Sequence, residues 1–375
     1  MIRNHFYKQN LSIKEKIFAL DFFLIFLILV LGIISIFAMY STEQGNFGYY
    51  TKSHLYRFCV FFLLFLFISL FKINIWYKLS YLFYLIVLIL LFYVDFFGIT
   101  ASGSKRWISL FFFNLQPSEL MKVSIIIFLA RYYYKIPSEH VSNFKYIIIP
   151  FFALFIPVGL VITQPDLGTA TLIALSGIVV IWMTGFRIKY FLYSLIIFIC
   201  LAPIIISFLK PYQKSRILTF FDPERDPLGA GYQIIQSKIA LGSGGILGKG
   251  YLMGSQSYLD YLPEKHTDFI FTLFSEEFGF VGSISLLIIY ILIIYRIAQI
   301  GNEAKNNFAK LYCYGFATSF FIYVGVNMSM VLGLLPIVGA PLPIMSYGGS
   351  AMLSMMIGLG VAMSCKIHSQ EAQIN

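Results

Sequence analysis

Apolar positions fill this chain in long runs, and polar positions collect in the gaps between them. The runs are Ile17–Met39, Leu55–Phe71, Leu79–Phe97, Glu119–Tyr134, Tyr146–Ile162, Thr169–Met183, Tyr190–Leu209, Thr267–Tyr295, Phe308–Leu332 and Met345–Cys365. At about 1.5 Å per residue, a helix of roughly 20 residues crosses the hydrocarbon of a bilayer. The pattern predicts an all-α polytopic membrane protein with ten transmembrane helices, built as a single integral domain over residues 1–375. The first run is too long for the core of a signal peptide, and no small-residue cleavage site follows it. An internal repeat of the kind many transporters carry is not visible.

The gaps are of two kinds. Those at one set of ends are short and basic: Lys72 and Lys78; Arg131, Lys135 and Lys145; Arg187 and Lys189; Arg296, Lys305 and Lys310; and Lys366. The short gaps on the opposite side hold only Lys52, Arg57, Lys105 and Arg106. The positive-inside bias therefore predicts cytoplasmic termini and an extracytoplasmic loop over Lys210–His266, between helices 7 and 8. On that side the gaps Gly98–Ser118, Thr163–Gly168, Lys210–His266 and Gly333–Ser350 are rich in Gly, Pro and mixed polar groups. Within the long loop, Tyr232–Leu241 predicts a short amphipathic helix lying in the membrane interface.

Composition agrees with this reading. The 375 residues are 59% hydrophobic and 12% charged, the latter roughly half the share of a soluble domain. The net charge of +10 reads as membrane topology rather than as a nucleic-acid surface. Four dispersed cysteines (Cys59, Cys200, Cys313, Cys365) lack the spacing of a disulfide framework or a zinc site.

Chemistry is concentrated where one polar loop runs into a span. Six ionisable side chains lie between Glu264 and Glu277, and a carboxylate at membrane depth is costly unless it serves a cavity or a partner. If this stretch is helical throughout, Asp268, Thr272, Ser275, Glu276 and Gly279 share one face. Asp268 has two compatible readings: Thr267 or Asp268 caps the following helix, or Asp268 is a general base at the mouth of a cavity. His266 reads as a hydrogen-bonding or capping residue before a metal ligand. Glu119 and Lys122, one turn apart, read as an internal ion pair, with Lys122 also placed to meet an anionic head group. Lys105 and Arg106 beside Trp107 suit both a membrane belt and a phosphate-binding rim. Asp166 reads as a helix cap or a further acid. The glycine-rich Gly242–Gly250 stretch fails the register of a phosphate loop, since Lys249 is followed by Gly rather than Ser or Thr, and reads as a flexible hinge or lipid-proximal turn.

Taken together, Gly103–Ile108, Gln116–Lys122, Gln164–Thr169, Leu262–Phe271, Glu276–Gly279 and Pro341–Ser350 resemble, in the same order along the chain, the motifs of the SEDS proteins of bacteria (shape, elongation, division and sporulation). The stretch from Asp222 to Gly250 resembles the elongation branch of that family more than the division branch. Ser104, where Ala is common, and Met345, where an aromatic or branched residue is common, are small departures. The resemblance implies a peptidoglycan glycosyltransferase that polymerises lipid II at the outer face of the cytoplasmic membrane. It implies a class B penicillin-binding protein, the cross-linking transpeptidase, as partner alongside other elongation-complex proteins, with no nucleic acid. It carries the family's essential Asp onto Asp268 and functionally sensitive positions onto Glu119, Lys122, Arg106 and Asp166.

The bond chemistry then asks for one inverting displacement, with Asp268 deprotonating the acceptor hydroxyl. The departing undecaprenyl pyrophosphate needs cationic help from Lys122, Arg106 or a divalent ion such as Mg or Mn; no organic cofactor is implied. Two other readings stay open on sequence alone. One is a transporter that flips lipid II; the other is a non-catalytic scaffold for a penicillin-binding protein, in which Asp268 is only a cap.

Overall fold

The computed structural model describes residues 11–101, 104–110, 113–137, 139–208, 211–226, 229–255, 262 and 264–369. Of the motif residues, Gly103 and Pro263 lie outside the described residues, as do parts of the long loop and residues 1–10.

A helix covers each of the ten apolar runs. They are α2 (Phe22–Thr42), α3 (Tyr49–Ser69), α4 (Ile73–Phe97), α5 (Pro117–Tyr133), α6 (Phe144–Thr163), α7 (Leu167–Met183), α8 (Ile188–Phe208), α11 (Ile270–Glu303), α12 (Asn307–Val331) and α13 (Gly349–Ile367). Short helices α1 (Ile13–Phe18), α9 (Pro211–Phe221) and α10 (Ala230–Gly244) accompany them. Among the described residues, seven helices are long and apolar enough to cross a membrane: α2, α3, α4, α6, α11, α12 and α13. Their outer faces carry exposed Phe and Ile, such as Phe26, Ile33 and Phe37 on α2 and Phe151, Phe152 and Phe155 on α6. A soluble protein would not leave such faces bare; this is an integral membrane protein.

Helices α13 and α12 form the centre, their apolar windows 83% and 61% buried against 22–44% for the other five. Helix α5 joins them there, with Pro117 through Ile127 all buried. Small residues allow the close approach: a Cβ on Gly358 of α13 would lie 2.2 Å from the Phe316 ring of α12.

Three observations correct the sequence reading. The chain is not purely helical: β1 (Ile99–Ala101), β2 (Ser104–Leu110) and β3 (Phe113–Leu115) form a small antiparallel sheet in the order β1-β2-β3. Its segment is rich in β-branched and aromatic residues and too short and polar to enter the bilayer. Next, α10 is an amphipathic helix, but its buried face is spent on protein. Ile234, Ser237 and Ala240 are buried, and Ser237 donates to the Val331 carbonyl at 2.7 Å and bonds Thr272 at 3.0 Å.

The third correction concerns the Gly242–Gly250 stretch, which is no free hinge. Helix α11 is broken at Gly279 (φ 64, ψ −160), a conformation open in practice to Gly alone. The break frees the carbonyls of Glu276 and Glu277, which accept from the N–H groups of Lys249 and Gly250 at 3.0 Å each. In return, Phe280 and Val281 donate to Gly245 and Ile246 at 2.9 and 3.1 Å. A helix cannot satisfy its own backbone across such a break, so in an apolar setting another segment must.

Candidate active site

The polar ends of α4, α5, α7, α11, α12 and α13 gather at one end of the bundle, together with the small sheet. Asp268 lies there, in the bend leading into α11. That helix begins at Ile270, its N-cap is Phe269, and no side chain caps it. The stripe expected to run from Asp268 to Gly279 is therefore shorter, with Asp268 outside the helix. The capping reading also falls: the Thr267 hydroxyl is spent on the Glu264 carboxylate at 2.7 Å, and Asp268 caps nothing.

Among the described residues, no donor reaches the Asp268 carboxylate. It keeps some accessible surface while protein packs closely round it; a Cβ placed on Gly339 would lie 3.6 Å from its Oδ2. Burial pushes its pKa up from the ordinary 3.8 to about 7; the Glu264 and Asp166 charges push the same way, and Arg106 and Arg216 oppose them.

Asp166 differs from Asp268 in collecting four hydrogen bonds, three of them on Oδ2. It is the N-cap of α7, accepting from the Thr169 N–H at 3.0 Å and from the Thr169 hydroxyl at 2.9 Å. It also accepts from Gln116 Nε2 at 2.9 Å and from Arg106 at 3.0 Å. Arg106 keeps 27% of its side chain exposed, and its Nε is buried with no acceptor. Neighbouring strand residues point to opposite faces: Lys105 turns away to donate to the Phe96 carbonyl and does not join Asp166 or Asp268.

Below this lies the Glu119–Lys122 pair at 2.7 Å, almost wholly buried. Tyr323 closes it: its hydroxyl lies 3.2 and 3.1 Å from the two Glu119 oxygens, and Lys122 sits 3.8 Å from its ring centroid. The internal ion pair foreseen from the spacing is present, reinforced by a cation–π contact. His266 bonds the Thr42 hydroxyl at 2.8 Å and stacks on Tyr50 at 4.0 Å.

Glu276 belongs to a different place. Buried completely, it accepts on Oε1 from Lys249 at 2.6 Å, from the Ser255 N–H and hydroxyl at 3.0 and 2.8 Å and from Ser243 at 3.4 Å. It fastens the 245–255 segment to the α11 break, while Glu277 is held by Ser41.

Sequence reasoning missed Arg216, Tyr323, Asn327 and Ser346. Ser319, Tyr323 and Asn327 recur every fourth position along α12, a polar stripe that could have been read as facing the interior. Arg216, on α9, donates to the Ile337 carbonyl at 3.1 Å and had no such signal. Among the described residues, no three His, Cys, Asp or Glu side chains gather into a ready-made metal cage.

What the fold and site define is a helical membrane protein with a loop-walled, half-buried acid flanked by arginines. The cell cycle protein family FtsW/RodA/SpoVE matches residues 18–371, and the chain belongs to it. It is 44% identical over 286 residues to the peptidoglycan glycosyltransferase MrdB of Escherichia coli (strain K12), covering 76% of this chain and 77% of that one. To stage V sporulation protein E of Bacillus subtilis it is 36% identical over 290 residues, 77% of each chain. Among solved structures it resembles a chain of a peptidoglycan synthase complex that coordinates polymerization and crosslinking (TM-score 0.81, 29% identity, 94% of this chain and 99% of that one). The rod shape determining protein RodA of Thermus thermophilus shares the fold (TM-score 0.71, 24% identity, 94% and 98% covered).

Proposed function

We propose that this protein is a peptidoglycan glycosyltransferase of the elongation branch, polymerising lipid II into β-1,4-linked glycan. The activity is the one for which the Escherichia coli relative is named. The single observation that carries the site assignment is the Asp268 carboxyl: half-buried, approached by no donor among the described residues, poised near neutrality and flanked by Arg106 and Arg216.

In this reading the acceptor 4-hydroxyl attacks the anomeric carbon of the donor sugar. The carbon–oxygen bond to pyrophosphate breaks, its electron pair leaves on the pyrophosphate oxygen, and the hydroxyl proton passes to Asp268. One displacement inverts the α-linked donor into a β-linked product, so no covalent enzyme intermediate is needed. A base with a pKa near the working pH suits this task. Arg106, half free on the rim, and Arg216 offer planar donors to the departing pyrophosphate. The sealed Lys122–Glu119–Tyr323 group supports the floor, and His266 holds the neighbouring backbone. Glu276 is assigned to the α11 lock and Lys105 to the sheet.

The ten helices are read as ten spans, with both termini cytoplasmic and the Asp268 end outward, on the charge bias of the short loops. The likeness to a synthase complex supports a cross-linking transpeptidase, a class B penicillin-binding protein, as partner. The test is polymerisation of lipid II by the purified protein in liposomes with that partner, with moenomycin present to silence contaminating synthases. Glycan polymer from the wild type and none from Asp268→Ala supports the reading. Polymer from both removes Asp268 as base; lipid II crossing the liposome with no polymer from either turns the assignment to a transporter.

A further inference from the structure

The segment that carries Asp268 is held in an unusual way. Three successive backbone carbonyls, those of His266, Thr267 and Asp268, each accept a hydrogen bond from outside the segment. The His266 carbonyl takes the Tyr347 N–H at 2.8 Å. The Thr267 carbonyl takes the Ser346 hydroxyl at 2.6 Å. The Asp268 carbonyl takes Asn327 Nδ2 at 2.9 Å.

The donor hydrogens are themselves fully committed. Asn327 spends its other amide hydrogen on the Ala340 carbonyl at 2.6 Å and is completely buried. Ser346, also buried, accepts from the Leu342 N–H at 2.7 Å while its single hydroxyl proton goes to Thr267. Between them, Ile344 is held at φ 66, a left-handed conformation that a β-branched residue leaves when it is free to. Strain of this kind persists where surrounding bonds over-determine the backbone, and it gathers near functional groups.

We infer that Asn327 and Ser346 are positioning residues of the transfer reaction: with the Tyr347 N–H they form a carbonyl clamp that fixes the Asp268 backbone relative to α12 and the 340–347 turn. The inference rests on Asp268 acting as the base. It accounts for the polar end of α12 and for Ser346 in the Pro341–Ser350 motif, neither of which the transfer chemistry uses directly. A base must be held near its substrate proton to within a fraction of an ångström, and a displacement of about 1 Å costs on the order of 10²-fold in rate.

The experiment compares Ser346→Ala, Ser346→Thr, Asn327→Ala and Asp268→Asn in the liposome assay with lipid II. Rates are taken per folded molecule, by monodisperse elution and thermal melting, across pH. Asn327→Ala and Ser346→Ala should lower kcat by about 10- to 100-fold with KM for lipid II within about twofold. Ser346→Thr keeps the hydroxyl donor and should restore most of the rate. Asp268 is faced by Glu264, Asp166, Arg106 and Arg216, and a released carboxylate would lose its burial. The ascending limb of the pH–rate profile should therefore move to lower pH in the two alanine variants and stay in place in Ser346→Thr. A merely structural role would lower the melting temperature and folded yield without moving that limb. Folded Ser346→Ala and Asn327→Ala proteins with wild-type kcat and an unmoved limb would overturn the clamp. If Asp268→Asn also keeps its rate, the base assignment has failed; if Asp268→Asn is dead, only the clamp has.

Discussion

Asp268 and Glu276 belong to the same acidic stretch, yet the fold treats them in opposite ways. One Glu276 oxygen collects an ammonium, a backbone N–H and two hydroxyls inside a fully buried site. Asp268 collects no donor among the described residues, keeps accessible surface and is pushed toward neutrality by burial. A saturated carboxylate is a rivet: its charge is spent, and moving it would break the contacts that repay its desolvation. An unsaturated one beside an opening retains its lone pairs for a ligand. Counting partners, more than burial, separates the acid that builds the protein from the one that can act.

The largest expected effect tests the acting member. Asp268→Asn should lower polymerisation by at least about 10²-fold, the usual worth of a general base. Its effect on stability runs the other way. Because the folded pKa is raised, to about 7 from 3.8, the wild type loses stability as pH climbs from about 4 to about 7 and a charge must be kept in the protein. Asn carries no such charge, so the variant should melt higher than wild type at pH 8, with the gap closing by pH 4. Thermal melting in detergent at the two pH values checks this; a gap of the same size at both would contradict the raised pKa.

The rivet is tested by Lys249→Ala. Stranding a buried carboxylate costs about 3–5 kcal/mol, and the lower end is expected because Lys249 keeps 30% of its surface. Chemical or thermal unfolding should show this loss while turnover per folded molecule stays within about threefold, a smaller change than one missing catalytic group brings. A selective loss of turnover with unchanged stability would erase the contrast between the two acids.

Smaller effects sharpen the electrostatics. The rate of the wild type should rise with pH and level off above about 7, where Asp268 is ionised. Glu264→Gln removes a like charge and should move that limb to lower pH. Arg216→Ala removes an opposing charge and should move it to higher pH, while also raising KM for lipid II. The smallest effect is that of Lys105→Ala, whose ammonium is engaged by the Phe96 carbonyl; polymerisation should stay within about twofold, and a large loss would bring Lys105 back to the pyrophosphate rim.

The apolar runs, the Glu119–Lys122 pair and the clustering of Arg106, Asp166 and Asp268 at one end were all legible along the chain, because hydrocarbon length and helical spacing are local rules. The α11 break was not. Gly279 continues an apparently helical pattern, and what makes its conformation tolerable is the Gly245–Gly250 segment, supplied from an earlier loop. For the same reason Glu276 looked like a companion of Asp268: on an unbroken helix the two share a face, and only the bend before Ile270 parts them. Arg216 was hidden because a lone Arg in a basic loop has no period to betray it.

By itself, then, the sequence determined that this chain lives in a membrane, where its helices run, and which residues have chemistry worth placing, since transfer of apolar side chains from water depends on composition and spacing alone. Tertiary structure decided which carboxylate is neutralised and which is left open, and which carbonyls are held by Asn327 and Ser346. Those outcomes depend on donors brought from distant segments to within about 3 Å, and no local pattern specifies where such donors arrive.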